Sequence, residues 1–85
     1  MYYLYILQSE KDKRTYVGFS QNITLRLKQH NAGKVNATKN RCPFQIIYSE
    51  KLPTAAEAKQ REKYWKTGAG RRKLMKLLSG FPPPK

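Results

Sequence analysis

Two short runs of aromatic and β-branched residues open the chain, Tyr2 to Leu7 and Thr15 to Phe19, and a polar stretch from Ser9 to Lys13 divides them. Such residues suit a pleated, half-buried surface, so the pair predicts a β-hairpin. A turn centred between Glu10 and Lys11 sets Tyr5 opposite Tyr16 and Tyr3 opposite Gly18, and opposed residues share a face. The period then changes. Ile23, Leu27 and His30 recur at helical spacing after Ser20, a candidate N-cap, and before Asn31 and Gly33, which supply a stop. Residues four apart stand one turn apart on a helix, so Arg26 and His30 flank this stripe and look toward the sheet.

From Asn31 to Cys42 no period is visible, and Lys34, Lys39 and Arg41 make the segment a basic loop. Pro43 opens a third strand, Phe44 to Ser49, with Phe44, Ile46 and Tyr48 on one face. Pro53 and Thr54 begin a second helix, and Glu57, three residues after Thr54, completes a capping box. Its inward stripe is Ala55, Ala58, Glu62 and Trp65. Gly68 and Gly70 break that helix, and Arg71 to Leu78 makes a third. The tail, Phe81 to Lys85, has three consecutive prolines and reads as polyproline-like or flexible. The order β-β-α-β-α-α predicts an α+β fold, a three-stranded antiparallel sheet flanked by helices. Residues 1–78 form the domain, 79–85 are a Pro-rich tail, and no internal repeat is present.

Length and charge narrow the function. A chain of 85 residues supports one small core and excludes a two-domain enzyme. With 18 Lys and Arg against 5 Asp and Glu, the formal charge is +13, which calls for a polyanion, and nucleic acid is the obvious one. Hydrophobic content of 39% is low, but 12% aromatic residues are too many for a disordered basic tail. Cys42 is the single cysteine and no Cys/His cluster has zinc spacing, which excludes a disulfide scaffold and a zinc finger and fits a reducing cytosol. The longest apolar run falls far short of the roughly 20 residues that cross a bilayer, and no signal peptide precedes it. A soluble cytoplasmic protein without membrane association is expected. Nothing resembles a heptad or a large apolar stripe, so a monomer is expected too.

Glu62 is the anomaly: a carboxylate on an inward stripe beside Ala and Trp, in a chain with few acids. Burial there is costly unless the group is paired, protonated or bound to a cation. The plain alternative is a salt bridge to Arg26 or a nearby lysine; the sharper one is a ligand for Mg²⁺, which often takes one protein carboxylate plus waters and substrate phosphate. Tyr5 and Tyr16 would be ordinary core residues taken singly, His30 a helix-dipole partner and Arg26 a solvated base. Their convergence on one cleft with Glu62 is what suggests a site. The basic run Lys59, Arg61, Lys63, Lys66, Arg71, Arg72, Lys73 and Lys76 reads as a phosphate-contacting surface. The stretch Gly68-Ala69-Gly70-Arg71-Arg72-Lys73 is no Walker loop, because it follows a helix and lacks the Lys-Ser/Thr ending. Cys42 has no base nearby in sequence and reads as an inert thiol.

The ordered set Tyr3-Leu4-Tyr5, Tyr16-Val17-Gly18, Arg26, His30 and Glu62 resembles the GIY-YIG nuclease superfamily, in particular its short stand-alone bacterial members. The resemblance runs from about Tyr2 to Leu78. Tyr3 and Leu4 stand where the first motif has Gly and Ile, and its tyrosine is kept as Tyr5. The resemblance implies an endonuclease that cuts DNA, with RNA as a second candidate, at low sequence specificity and in a DNA repair or recombination setting. It implies that Tyr5 activates water, Tyr16 assists by positioning, Arg26 holds the scissile phosphate, and Glu62 holds one Mg²⁺ (or Mn²⁺) at the leaving oxygen. His30 accepts the Tyr5 proton or orients its hydroxyl, and Gly18 is structural. Lys34, Lys39, Arg41, Lys66, Arg71 and Arg72 are the candidate nucleic-acid contacts, and a protein partner could supply targeting. Two readings from other classes remain: a non-catalytic nucleic-acid-binding accessory module with the same fold, and a small ribosome-associated basic protein.

Overall fold

The computed structural model describes residues 1–79 as β1 (Tyr2–Ser9), β2 (Thr15–Ser20), α1 (Ile23–Asn31), β3 (Phe44–Leu52), α2 (Ala55–Trp65) and α3 (Gly68–Ser79). The strands form one antiparallel sheet in the order β2-β1-β3, so the most apolar strand is central. The fold is α+β, with the element order expected. Helix α3 runs one residue past the expected domain end, and the remainder of the Pro-rich tail lies outside the described residues.

The central strand is covered on both faces, and Leu4, Tyr5, Ile6 and Leu7 are all buried. On one face Leu4, Ile6 and Val17 pack with Trp65 of α2 and Leu74 of α3. On the other, Tyr5, Leu7 and Phe44 pack with Tyr16, Ile46 and the α1 residues Ile23 and Leu27. Each large apolar side chain taken fully from water contributes roughly 1.5–3 kcal/mol, which makes these two clusters the main source of stability. No helix among the described residues is long and apolar enough to cross a membrane.

The hairpin pairs differently from the expected register. Tyr5 lies opposite Gly18, Leu7 opposite Tyr16 and Tyr3 opposite Ser20. The turn is centred one residue later because Ser9 organises it: its hydroxyl accepts the Lys11 and Asp12 N–H groups, and the Asp12 carboxylate accepts that of Arg14. Lys13 closes the turn at φ 64°. Moving the centre by one residue shifts each pairing by two, and because side chains alternate with period two, Tyr5 and Tyr16 keep a common face.

Four further expectations change. Asn22, not Ser20, caps α1, its side chain accepting the Leu25 N–H; Ser20 instead accepts the Asn22 N–H. Strand β3 extends to Leu52 and does not keep Phe44, Ile46 and Tyr48 on one face. Leu7 pairs with Ile46 but Ile6 with Tyr48, so Ile47 is an extra residue and the bulge sends Tyr48 to the α2/α3 side. On α2 the Thr54–Glu57 capping box forms and Ala58 and Trp65 are buried, but Ala55 is exposed at the first turn. The glycines do not break the helix. The chain turns at Lys66 and Thr67, whose hydroxyl accepts the Gly70 N–H, and Gly68 and Gly70 begin α3. Gly70 is there for close packing, since a Cβ at that position would stand 2.6 Å from Trp65 Cα.

Candidate active site

Facing Gly18 across the hairpin is Tyr5, and the missing side chain decides where the phenol can lie. A Cβ on Gly18 would stand 2.8 Å from the Tyr5 hydroxyl, closer than real contacts allow, and 3.1 Å from Tyr16 Cε2, a tight contact. Tyr5 therefore reaches over the β2 backbone toward the free edge of the sheet, with the Tyr16 ring beside it. Of the two phenols, Tyr5 is 2% exposed and Tyr16 is half-buried.

Helix α1 brings His30 against them. It is buried, with Nε2 3.2 Å from the Tyr5 hydroxyl and Nδ1 2.7 Å from Thr38 Oγ1. Its ring lies 6.0 Å from that of Tyr5, 5.0 Å from Tyr16 and 5.9 Å from Phe44, centroid to centroid, so three aromatic rings fix its plane. Thr38, also buried, carries no signal in the sequence. It lies in a loop without period, and only its contact with His30 marks it.

Arg26, half-buried one turn before His30, donates to the Gln29 side chain at 3.0 Å. Glu62 comes from the opposite layer of the fold and pairs with Lys66 at 3.2 Å, one helical turn on. Both bear on the same phenol. Burial, the largest effect, raises the Tyr5 pKa above its ordinary 10.0, the Arg26 guanidinium pulls it down, and Tyr16 and Glu62 push it up. Burial followed by the Arg26 charge lowers that of His30 from 6.5, so the imidazole is held neutral. The structure thus packs Tyr16, Gly18 and His30 against the Tyr5 hydroxyl, while Arg26 and, from the opposite layer, Glu62 act on it through their charges.

The candidate nucleic-acid contacts are dispersed by comparison. Lys34, Lys39, Arg71 and Arg72 are exposed, and Lys66 and Arg71 line a groove of about 590 Å³ that Tyr16 also borders. Arg41 is tied to the hairpin, with an ion pair to Asp12 at 3.1 Å and its guanidinium 5.5 Å from the Phe44 ring. Arg61, counted in the basic run, is committed to Glu50 through bonds of 2.7 and 2.6 Å.

The model of the GIY-YIG catalytic domain family matches residues 1–75. The chain belongs to the GIY-YIG family. It is 38% identical over 74 residues to a UPF0213 protein of Staphylococcus haemolyticus, covering 86% of this chain and 89% of that one. To a UPF0213 protein of Staphylococcus saprophyticus it is 39% identical over 79 residues, 92% and 94% of the two chains. The solution NMR structure of a UPF0213 protein from Bacillus halodurans shares the fold, with TM-score 0.55 and 32% identity over 99% of this chain and 89% of that one. GIY-YIG domains are generally metal-dependent endonucleases, so this GIY-YIG chain carries a nuclease-type, nucleic-acid-directed domain.

Proposed function

We propose that this GIY-YIG domain is an endonuclease that uses Mg²⁺ or Mn²⁺ to hydrolyse phosphodiester bonds of DNA with little sequence preference, in the service of repair or recombination. The observation that supports the reading is the bond between His30 and the Tyr5 hydroxyl in the place cleared by Gly18, with the charges of Arg26 and Glu62 acting on the same phenol. Hydrolysis joins a water oxygen to phosphorus as the bond to the 3′-oxygen breaks, and it requires a base, positive charge on the phosphate and stabilisation of the departing oxygen. Tyr5 takes the water proton. Burial keeps the resting phenol neutral, so its own proton must move on, and His30 Nε2 is the neighbour placed to accept it. Arg26 supplies positive charge for the scissile phosphate, and Tyr16 fixes the His30 ring and borders the approach.

Glu62 would hold the metal. No group of three or more His, Cys, Asp or Glu is placed to share an ion among the described residues, and the proposed site would rest on this one carboxylate. That donor set fits a hard cation which keeps several waters and borrows substrate phosphate. When bound, such an ion supplies Lewis-acid charge to the leaving oxygen. The Lys66 partner is no obstacle, because an i,i+4 pair of this kind is worth only about 0.3–0.5 kcal/mol.

The test is nicking of supercoiled plasmid with Mg²⁺ or Mn²⁺. Wild-type protein nicks and Glu62→Ala does not; equal background from the two highly purified proteins would remove hydrolysis by this site. Salt-sensitive DNA binding that survives loss of Tyr5, Arg26 or Glu62, with no nicking by the wild type, would favour the accessory binding module.

A further inference from the structure

We propose that Thr38 is a positioning residue that fixes His30 as the Nδ1–H tautomer and thereby presents an unprotonated Nε2 to the Tyr5 hydroxyl. Its consequence for cutting rests on the endonuclease reading above; the tautomer itself does not. The argument is one of hydrogen count. Thr38 is buried in a turn closed by two backbone bonds, from its own N–H to Val35 O at 3.0 Å and from the Arg41 N–H to its carbonyl at 2.9 Å. Its hydroxyl donates to the Val35 carbonyl at 3.5 Å. A hydroxyl has one hydrogen, so a group that gives it to a carbonyl can meet His30 Nδ1, 2.7 Å away, only as an acceptor. Nδ1 then carries the imidazole proton. A neutral imidazole has only one, which leaves Nε2 bare and makes the Tyr5 hydroxyl the donor across 3.2 Å.

The chain of bonds therefore runs in one direction, Tyr5 O–H to His30 Nε2, His30 Nδ1–H to Thr38 Oγ1, and Thr38 O–H to a main-chain carbonyl that can only accept. The rings of Tyr16 and Phe44 pack around the imidazole and hold it in this orientation. In the reaction a water proton passes to the Tyr5 oxygen while the phenol proton passes to Nε2. The resulting imidazolium keeps its Nδ1–H on Thr38, so the charge forms where an acceptor already waits. With Nε2 protonated instead, Tyr5 could not discharge its proton to His30 at all.

The chain has one histidine, so long-range ¹⁵N–¹H spectra of the full-length protein report a single imidazole. Wild type and Thr38→Ser, which keeps the hydroxyl, should show the Nδ1–H pattern at neutral pH. Thr38→Val, which keeps the shape and loses the oxygen, should move toward Nε2–H. In plasmid nicking Thr38→Val should lose about tenfold to a hundredfold in kcat with KM little changed, and Thr38→Ser should recover most of it. A wild-type spectrum of the Nε2–H form, or a folded Thr38→Val with the wild-type pattern, overturns the proposal. Should Thr38→Val fail to fold, the wild-type and Thr38→Ser spectra still decide. An Nδ1–H spectrum in a wild type that nicks nothing would support the role of Thr38 and defeat the endonuclease reading instead.

Discussion

Two glutamates occupy the same layer of this small protein, and their surroundings could hardly differ more. Glu50, on β3, accepts two bonds from Arg61 at 2.7 and 2.6 Å, one from the Tyr48 hydroxyl at 2.9 Å and one from the Trp65 indole at 3.2 Å. Arg61 in turn lies over the Tyr64 ring, 4.7 Å from its centroid. Glu62, one residue along α2 from Arg61, has a single lysine that swings on a flexible stem. Exposure alone does not separate them, with side chains 13% and 24% accessible. Partnership does. A carboxylate with its lone pairs filled by four donors is part of the scaffold, whereas one with a single displaceable partner, bearing on a buried phenol, has coordination left to offer.

The largest effect should come from the acid that the fold does not need. Glu62→Gln removes the charge and keeps the shape; nicking should fall by about a hundredfold to a thousandfold, roughly 3–4 kcal/mol of barrier, which is the scale of losing one electrostatic contact at the reacting atoms. Its thermal midpoint should stay near wild type, because replacing a partly exposed i,i+4 pair costs less than about 0.5 kcal/mol. A Glu62→Gln protein that melts early and still cuts would erase the distinction between the two glutamates.

Glu50→Gln tests the other half. It strands the Arg61 charge beside Tyr64 and Trp65, and the cost should be about 2–3 kcal/mol in urea unfolding, below the value for a wholly buried pair because the Arg61 side chain is 35% exposed. At a temperature where the variant is folded, nicking should match wild type. Glu50 lies on β3 and pairs into the α2 face, while Tyr5 and His30 pack on the α1 face, so a selective loss of cutting would show that the clamp also shapes the site.

Gly18→Ala is smaller in stability and more selective in place. The added methyl would meet the Tyr5 hydroxyl at 2.8 Å, and relieving it should cost about 1–3 kcal/mol, as overpacking of a filled site does. Most of the relief must come from the Tyr5 ring, so the Tyr5–His30 bond should lengthen and nicking should fall with it. Retention of full activity would mean that the phenol can work from elsewhere.

How much of this was readable from sequence follows the same physical divide. Periodicity finds elements, so the hairpin, the α1 stripe and the Thr54 cap were legible, and the two-residue parity of strands preserved the common face of Tyr5 and Tyr16 although the turn was misplaced. Contacts made by an irregular backbone were not legible. The bulge at Ile47 moves Tyr48 across the sheet and builds the Glu50 clamp, yet it leaves no mark on an alternating apolar run. Glu50 falls just beyond the strand expected from sequence, Phe44 to Ser49, and Arg61, eleven positions away, reads as one more base in a basic run. Thr38 sits in a loop with no period. Glu62 stands out in sequence as an acid on an inward stripe; the structure gives it the ordinary partner, Lys66, and its charge also acts on the Tyr5 phenol.

Acid titration of stability sharpens the comparison most finely, because the contribution of His30 falls in a higher window than those of Glu50 and Asp12. The Glu50 carboxyl is held below its ordinary 4.5, first by the Arg61 hydrogen bonds, so it binds protons less readily folded than unfolded. Its contribution is therefore fully present above 4.5 and is lost as pH falls through that value toward its lower folded pKa. His30 is lowered too, chiefly by burial, so its neutral form belongs to the fold; protonation of the unfolded chain begins to erode stability below 6.5, well before the carboxylate responds. Wild-type unfolding free energy should thus decline in two stages on acidification. Glu50→Gln should keep the upper stage and reduce the lower one, to which Asp12, also held below its ordinary 3.8, still contributes. A Glu50→Gln curve that keeps the whole lower stage would mean that the stabilising carboxylate had been assigned to the wrong residue, and with it the division between scaffold and site.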